Sequence, residues 1–171
     1  EGVGTDYYEY EGIFHNPSFI EPGFRVLITV IKIFTNNFNA FLFIIILITL
    51  LLRKFLIDSF SYNHAISYLV LSGFWLLLYD LNGIRQALSL GIVGVAGYYT
   101  YHQNLKKFLL CCILASMIHY SSIIFFPFYF LFNADIKRKR MIWIIAIAYM
   151  LALLNISDYI MGLIINSGFG N

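Results

Sequence analysis

The sequence predicts an all-α, polytopic helical transmembrane protein. Hydrophobic residues make up 60% of the 171-residue chain and charged residues only 12%, whereas soluble domains carry about 25% charged residues. The mean hydropathy is +0.78. A water-soluble fold could not cover its surface with so few charges. We therefore expect most apolar segments to face lipid.

Several apolar segments approach the length of a membrane-spanning helix, which takes about 20 residues. They are 38–52, 65–79, 86–101 and 141–156. The segment 23–35 is also apolar, but it carries Arg25 and Lys32, which are seven positions apart and therefore share one face of a helix. Because its apolar part would be only about 18 Å long as a helix, we predict an interfacial amphipathic helix there rather than a span.

The segment 108–132 has two interpretations. It lies between basic clusters at 106–107 and 137–140. A single tilted span would place these clusters on opposite sides of the membrane, against the positive-inside bias. A re-entrant hairpin of two half-depth helices that meet near His119 would place both clusters in the cytoplasm, and its backbone would need to be covered by protein. We favour the hairpin, and the single span is the alternative.

Charge also predicts the orientation in the membrane. Eight of the eleven basic residues fall in three clusters, at 53–54, 106–107 and 137–140. Residues 1–21 hold five of the nine acids and no Lys or Arg. The positive-inside bias therefore predicts that the clusters are cytoplasmic, that residues 1–22 form an extracytoplasmic loop, and that spans occupy 38–156. We interpret residues 1–171 as one transmembrane domain, and we expect it to be incomplete.

Arg85 is the arginine that this topology leaves at the outer end of two spans. Asn82 is a good N-cap residue, which would place Arg85 in the first turn of the following helix. Backbone N–H groups at a helix N-terminus and a guanidinium together favour a phosphate or diphosphate. The alternative is that Arg85 pairs with Asp80 to close a helical hairpin.

His119 lies in the middle of an apolar run, next to the hydroxyls of Tyr120, Ser121 and Ser122. A neutral imidazole at such a place could accept a proton from a hydroxyl nucleophile. The alternative is a polar histidine that hydrogen-bonds another helix. In residues 1–24, five acids and three tyrosines are typical of a sugar site, although an ordinary wet loop has the same composition.

Other kinds of site are not indicated. No Walker loop, zinc-ligand spacing, G-x-S-x-G or dinucleotide fingerprint is present. We interpret the adjacent Cys111 and Cys112 as small hydrophobic residues, and Gly91, Gly94 and Gly97 as a surface for close helix packing. We expect no cofactor, no metal and no nucleic-acid partner.

Four motifs in order resemble the EpsG family. They are "GTDYYEYEGIF" (4–14), "EPGFRVL" (21–27), "DLNGIRQALSLG" (80–91) and "LASMIHYSSIIFFPFYFL" (114–131). The resemblance covers roughly residues 1–132. EpsG proteins are multi-spanning bacterial proteins similar to the Wzy-type polymerases of capsular, exopolysaccharide and O-antigen assembly. Members are longer than this chain, so we expect a fragment that covers roughly the N-terminal half.

The resemblance implies glycosyl transfer at the outer face of the bacterial cytoplasmic membrane, where repeat units carried on undecaprenyl diphosphate would be joined. The candidate catalytic residues are then Arg85 for the diphosphate, and His119 or Asp6 for the acceptor hydroxyl. The candidate substrate-binding residues are Thr5, Tyr7, Glu21, Asn82 and Gln86. Gly4 and Gly23 also match the motifs.

The implied partners are the lipid-linked oligosaccharide, membrane lipids, a flippase and a chain-length regulator. Other functions fit the same pattern of residues. A transporter or flippase for lipid-linked glycan would place Arg85 and His119 in an aqueous path open to both sides. A ligase or an acyltransferase that acts on the same carriers is a further alternative.

Overall fold

A computed structural model describes residues 6–18, 20–73 and 83–134, together with 142, 143, 145–147, 149 and 150. The chain divides into two compact units, Glu1–Asn133 and Ala134–Asn171. In the second unit, the described residues between 142 and 150 are helical and exposed. They lie within the predicted span 141–156, and the rest of that span is outside the described residues.

The first unit is built from helices. Its described α-helices are α1 (Tyr7–His15), α2 (Pro22–Lys32), α3 (Phe38–Phe60), α4 (His64–Val70), α5 (Ile84–Tyr101), α6 (Leu105–Ile118) and α7 (Phe128–Asn133), with a 3₁₀ helix at Tyr120–Phe125. No strand occurs among the residues that the structure describes. The prediction of an all-α protein is confirmed for them.

Helix α1 shows that part of the predicted extracytoplasmic loop 1–22 is helical, and the side of the membrane on which it lies stays a prediction. Tyr10 and Phe14 are one helical turn apart and both are buried. The Phe14 ring packs on Phe38 and Phe41 of α3, with centroids 5.7 and 5.1 Å apart. Burial of these aromatic side chains stabilises a helix in a segment whose polar composition alone predicted a loop.

Helix α2 begins one residue before the predicted segment 23–35, ends inside it and is amphipathic. Pro22 occupies the first turn, where its missing N–H costs no hydrogen bond. Phe24, Ile28 and Ile31 form its buried face, whereas Val26 is 57% exposed. The helix itself is confirmed, and its place at the membrane surface stays a prediction.

Helix α3 is longer than the predicted span 38–52. Asn37 caps it by accepting hydrogen bonds from the N–H groups of Asn39 and Ala40, at 2.8 and 3.2 Å. The helix continues through Arg53 and Lys54 to Phe60, and its last part carries an exposed ion pair between Lys54 and Asp58, one turn apart. The helix therefore extends two turns beyond the predicted span, whose membrane boundaries stay a prediction.

In the described part of the chain, α3 is the one helix long and apolar enough to cross a membrane. Its 23 residues have a mean hydropathy of 2.6 over the most apolar window, and 17% of that window is buried in the protein. Such low burial differs from the core helix of a soluble protein. Multiple membrane crossings stay a prediction.

Helices α5 and α6 form an antiparallel hairpin joined by residues 102–104. Gln103 adopts a left-handed conformation with φ of 53°, and Asn104 caps α6 by accepting from the N–H of Lys107 at 3.1 Å. The predicted span 86–101 corresponds to α5. Of the predicted span 65–79, α4 covers the first part, and residues 74–79 lie outside the described residues.

Small residues allow α5 to approach α3 closely, as predicted for two of three glycines. A Cβ atom on Gly91 would lie 3.0 Å from Leu52, and one on Gly94 would lie still closer to Leu56. A Cβ atom on Gly97 would meet none of the described residues within 4 Å. The packing surface is therefore shorter than the sequence predicted.

The segment 108–132 folds back on itself. Helix α6 ends at Ile118, and the chain then returns through the 3₁₀ helix and α7. The return is shown by the rings of Phe108 and Tyr129, whose centroids lie 5.3 Å apart although the residues are at opposite ends of the segment. The structure therefore forms a helical hairpin that turns at His119, rather than one continuous helix. Its position in the membrane stays a prediction.

Candidate functional site

Three of the predicted site residues meet at one point. The Arg85 Nη1 atom lies 2.8 Å from one carboxylate oxygen of Glu21, and the His119 Nδ1 atom lies 3.2 Å from the other. Glu21 is 64 residues from Arg85 and 98 from His119 in the sequence. The fold thus joins the residue before α2, the first turn of α5 and the hairpin turn after α6.

Glu21 is placed at the centre of the cluster by the start of α2. It is the N-cap residue of that helix, but its side chain makes no capping hydrogen bond. The carboxylate instead bridges the Arg85 guanidinium and the His119 imidazole, and Glu21 is only 6% exposed. Arg25 stabilises the preceding turn by donating to the carbonyls of Ser18 and Ile20, at 2.9 and 3.2 Å.

The Glu21 carboxylate remains ionised despite its burial. Burial alone would raise the pKa of Glu21, but its own backbone N–H, the Arg85 guanidinium and the His119 imidazole stabilise the charged form. The balance lowers the pKa below the usual 4.5. The carboxylate is therefore a permanent acceptor at neutral pH.

Arg85 lies in the first turn of α5, as predicted, but the cap differs. Gly83, rather than Asn82, is the N-cap residue, because the helix begins at Ile84. Glycine is accepted at this position since it adopts the required backbone conformation readily. Asp80 lies outside the described residues, so the alternative Arg85–Asp80 pair is not described, and Glu21 is the partner that the structure gives.

Arg85 retains donors beyond the one bonded to Glu21. Its Nε atom is buried and has no hydrogen-bond partner among the described residues. The Tyr10 ring lies 5.5 Å from the guanidinium carbon, within the range of a cation–π contact. A guanidinium has five N–H donors in a planar fork, so an anion can bind while the Glu21 contact persists.

His119 separates α6 from the 3₁₀ helix. Its backbone is extended, with φ of −150° and ψ of 115°, which ends α6 and turns the chain. Since an ionised carboxylate only accepts, we assign the proton of neutral His119 to Nδ1. Nε2 then carries the lone pair, which is the arrangement of a general base oriented by a carboxylate.

Gly23 explains how α2 reaches the hairpin turn. A Cβ atom at this position would lie 2.8 Å from both the Cβ and the carbonyl oxygen of Met117. Only glycine permits this approach without a shift of the backbone. Because Gly23 is two residues from Glu21 and Met117 is two residues from His119, the close packing holds the two side chains within reach of each other.

The remaining predicted residues are not all at this cluster. The Tyr7 hydroxyl donates to Asn39 at 2.9 Å, and its ring packs on Phe38 at 5.1 Å. Gln86 is exposed next to Arg85. Asp6 is the N-cap residue of α1, one turn before Tyr10. Their predicted roles in the site stay predictions.

Thr5 and Asn82 lie outside the described residues. Among the residues that can be described, no group of three or more His, Cys, Asp and Glu side chains could hold a metal ion. At the candidate site, Glu21 has Arg85 as its second partner. A cation beside the carboxylate favours an anionic ligand over a metal.

Sequence reasoning missed Tyr10 and the role of Glu21 as a bridge. Tyr10 lies within the first motif, but nothing in its spacing distinguishes it from Tyr7 and Tyr8. The motif that begins with Glu21 implied a role in sugar binding for this residue. Its contact with His119 depends on tertiary packing, and the adjacent Pro22–Gly23 pair was the one local signal of a special position.

Comparison with known families supports the motif resemblance. The sequence model of the EpsG family matches residues 1–170. The chain belongs to the EpsG family. The match extends beyond the residues 1–132 that the motifs covered, and the family implies a role in exopolysaccharide polymerisation. No curated protein and no solved structure matches this EpsG chain.

Proposed function

We propose that this EpsG protein joins oligosaccharide repeat units carried on undecaprenyl diphosphate, at the outer face of the bacterial cytoplasmic membrane. The observation that supports this proposal is the cluster in which Glu21 bridges Arg85 and His119. The Arg85 guanidinium is suited to bind a diphosphate, and the His119 imidazole is suited to accept a proton from a hydroxyl. The diphosphate and the hydroxyl are the two substrate groups whose charge changes when a sugar is transferred from a lipid diphosphate.

In the proposed reaction, the acceptor hydroxyl attacks the first carbon of the donor sugar. A new glycosidic C–O bond forms, and the C–O bond to the lipid diphosphate breaks. The hydroxyl proton passes to His119 Nε2, and the bonding pair leaves with the diphosphate. No nucleotide is consumed, because the lipid diphosphate is itself the leaving group.

Arg85 is suited to stabilise that leaving group. Charge gathers on the diphosphate as its bond to the sugar breaks, and a fixed guanidinium at a helix N-terminus lowers the energy of this state. The half-buried position of Arg85, with a side chain that is 22% exposed, strengthens its electrostatic interaction compared with bulk water.

Glu21 has a positioning role in this proposal. It orients the His119 ring through Nδ1 and holds the Arg85 fork through Nη1. The donor and acceptor sugars would contact Asp6, Thr5, Tyr7, Asn82 and Gln86. A flippase that supplies the lipid-linked units and a regulator of chain length would be the functional partners.

The test replaces Arg85 in the full-length protein. We expect Arg85→Ala to lower polymer formation by about 100-fold or more, and Arg85→Lys to fail as well, since lysine lacks the planar fork. Lipid-linked single units should then accumulate. The matched control is Lys106→Ala, which removes an exposed cation at the other end of the α5–α6 hairpin and should leave polymer yield unchanged.

The side on which the units accumulate separates the rival functions. If the variant has lost a polymerase activity, lipid-linked units accumulate in the outer leaflet, where a membrane-impermeant reagent modifies them. If it has lost a flippase activity, the units stay in the inner leaflet and are protected from the reagent. Normal polymer yield in Arg85→Ala, or accumulation on the inner side, would contradict the proposal.

A further inference from the structure

Two buried serines lie next to the His119 turn and have no part in the proposed reaction. Ser89 on α5 is 0% exposed, and Ser122 in the 3₁₀ helix is 2% exposed. Their hydroxyls are in hydrogen-bond contact with each other. The Ser89 hydroxyl also lies 3.0 Å from the carbonyl oxygen of Ala115 in α6.

The direction of these hydrogen bonds follows from the donor count. Each serine hydroxyl has one proton. A backbone carbonyl only accepts, so the proton of Ser89 is donated to Ala115. The Ser122 hydroxyl must then donate to Ser89. Both buried hydroxyls therefore donate a hydrogen bond, in keeping with the rule that buried polar groups are hydrogen-bonded.

These contacts close a ring of hydrogen bonds around the backbone of His119. The carbonyl of Ala115 also accepts from the N–H of His119 at 2.9 Å, and the carbonyl of His119 accepts from the N–H of Ser122 at 3.0 Å. The ring thus runs from Ala115 to His119, to Ser122, to Ser89 and back to Ala115. Both polar groups of the His119 backbone are included.

Ser89 connects this ring to the same helix face that carries Arg85. The two residues are four positions apart on α5, so they lie on one face, one turn from each other. Arg85 is linked to the side chain of His119 through the Glu21 carboxylate. Ser89 is linked to the backbone of His119 through the ring of hydrogen bonds. Helix α5 therefore holds both the side chain and the main chain of His119.

We infer that Ser89 and Ser122 are positioning residues of the EpsG site, which hold the His119 imidazole at the distance where it takes the acceptor proton. The activity readout rests on the proposed function. A displacement of about 1 Å at a general base can lower the rate by about 100-fold. The ring fixes the backbone from which the imidazole extends, and a looser turn permits such displacement.

The first test compares Ser89→Ala and Ser122→Ala with Ser116→Ala. Ser116 is a partly buried serine on α6 that donates within its own helix, at 2.9 Å from the carbonyl oxygen of Ile113. With purified full-length protein and lipid-linked repeat units, we expect kcat per folded molecule to fall about 10- to 100-fold in the two ring variants. The KM for the lipid-linked unit should change less than about 2-fold, because Arg85 still binds the diphosphate. Ser116→Ala should match the parent.

The second test replaces the hydrogen bond by a covalent bond. Because the two hydroxyls are in hydrogen-bond contact, the side chains of Ser89 and Ser122 face each other, and we expect cysteines at these positions to reach the geometry of a disulfide. In the Ser89→Cys/Ser122→Cys protein, two thiols are oxidised to one disulfide by an added oxidant, such as oxidised glutathione, which takes up the two electrons and two protons. We expect kcat to be low when the thiols are reduced and to recover when the disulfide forms.

The outcomes separate this inference from the proposed function. Loss of polymer in Arg85→Ala with normal kcat in both ring variants overturns the positioning role alone. Failure of the cysteine pair to form a disulfide, with each single variant as control, overturns the ring geometry whatever the activity. Normal polymer in Arg85→Ala overturns the proposed function, while the disulfide still reports on the ring.

Discussion

At the scale of residues, one carboxylate determines the electrostatics of the site. Glu21 neutralises part of the Arg85 charge and orients His119, and it does so from a position that is 6% exposed. A buried carboxylate is costly unless it is paired and hydrogen-bonded. The backbone N–H of Glu21, Arg85 and His119 all stabilise the ionised carboxylate, and Glu21 in turn holds both side-chain partners.

This coupling predicts how stability depends on pH. The pKa of Glu21 is lowered in the folded state, so the folded protein binds its proton less readily than the unfolded chain. The stabilisation is present above the usual pKa of 4.5 and is lost as the pH falls through the lower folded value. Thermal unfolding in detergent, followed from about pH 6 down to about pH 3, should show this loss.

The Glu21→Gln variant is the control for that titration, since glutamine keeps the shape but cannot ionise. Its midpoint should lie below that of the parent at pH 6, and the difference should shrink as the pH falls. A constant difference across this range would mean that the carboxylate titrates normally and that the bridge to Arg85 and His119 is weak.

The sequence predicted the chemistry of these residues better than their contacts. Arg85 and His119 were identifiable because an ionisable group in an apolar stretch is costly and therefore points to a specific role. The bridge through Glu21 could not be predicted, because its partners are 64 and 98 residues away. Local spacing carries no information on contacts at that range.

At the scale of elements, the approach of α2 to the end of α6 sets the geometry of the site. Gly23 permits that approach, because any side chain there would meet the Cβ and carbonyl oxygen of Met117 at 2.8 Å. The atoms concerned include backbone, which cannot rotate away. A larger side chain at position 23 would therefore push α2 away from α6 and lengthen the distance between Glu21 and His119.

We expect Gly23→Ala to lower the free energy of unfolding by about 1–3 kcal/mol and to lower polymer formation, because α2 must shift away from α6. Gly97→Ala is the matched control, since a Cβ atom there meets no described residue within 4 Å, and alanine in a helix interior is favoured over glycine by about 1 kcal/mol. Denaturant unfolding and polymer yield would be measured for both variants. If Gly23→Ala behaved like Gly97→Ala, α2 would not be held by this contact.

The elements themselves were predictable where apolar residues recur with helical spacing or run without interruption. The amphipathic α2 follows from such a pattern. The hairpin turn at His119 was predicted instead from the basic clusters on both sides of the segment 108–132. Helix α1 was missed because its buried pair, Tyr10 and Phe14, is embedded among acids. Helix α3 extends beyond the predicted span 38–52, because basic residues mark a membrane boundary without ending a helix.

At the scale of the whole molecule, the α5–α6 hairpin provides a direct test of orientation. Gln86 and Gln103 are both exposed and lie at opposite ends of α5. The predicted topology places residue 86 outside and residue 103 in the cytoplasm. In intact cells, a membrane-impermeant thiol reagent should label Gln86→Cys, and it should label Gln103→Cys only after the membrane is permeabilised.

The parent protein, which contains Cys111 and Cys112, is the control for background labelling. Labelling of both new cysteines in intact cells would contradict a crossing by α5, and the reverse pattern would place Arg85 in the cytoplasm. Orientation was predictable only from the distribution of charge, since α3 alone among the described helices has the length and hydropathy of a span.

The most direct measurement of the central claim is the affinity of the purified full-length protein for undecaprenyl diphosphate. Charge-assisted hydrogen bonds contribute about 1.5–3 kcal/mol each. We therefore predict that Arg85→Ala raises the Kd by about 10-fold or more, whereas Lys106→Ala leaves it unchanged. An equal Kd for Arg85→Ala and the parent protein would contradict the assignment of Arg85 to the diphosphate.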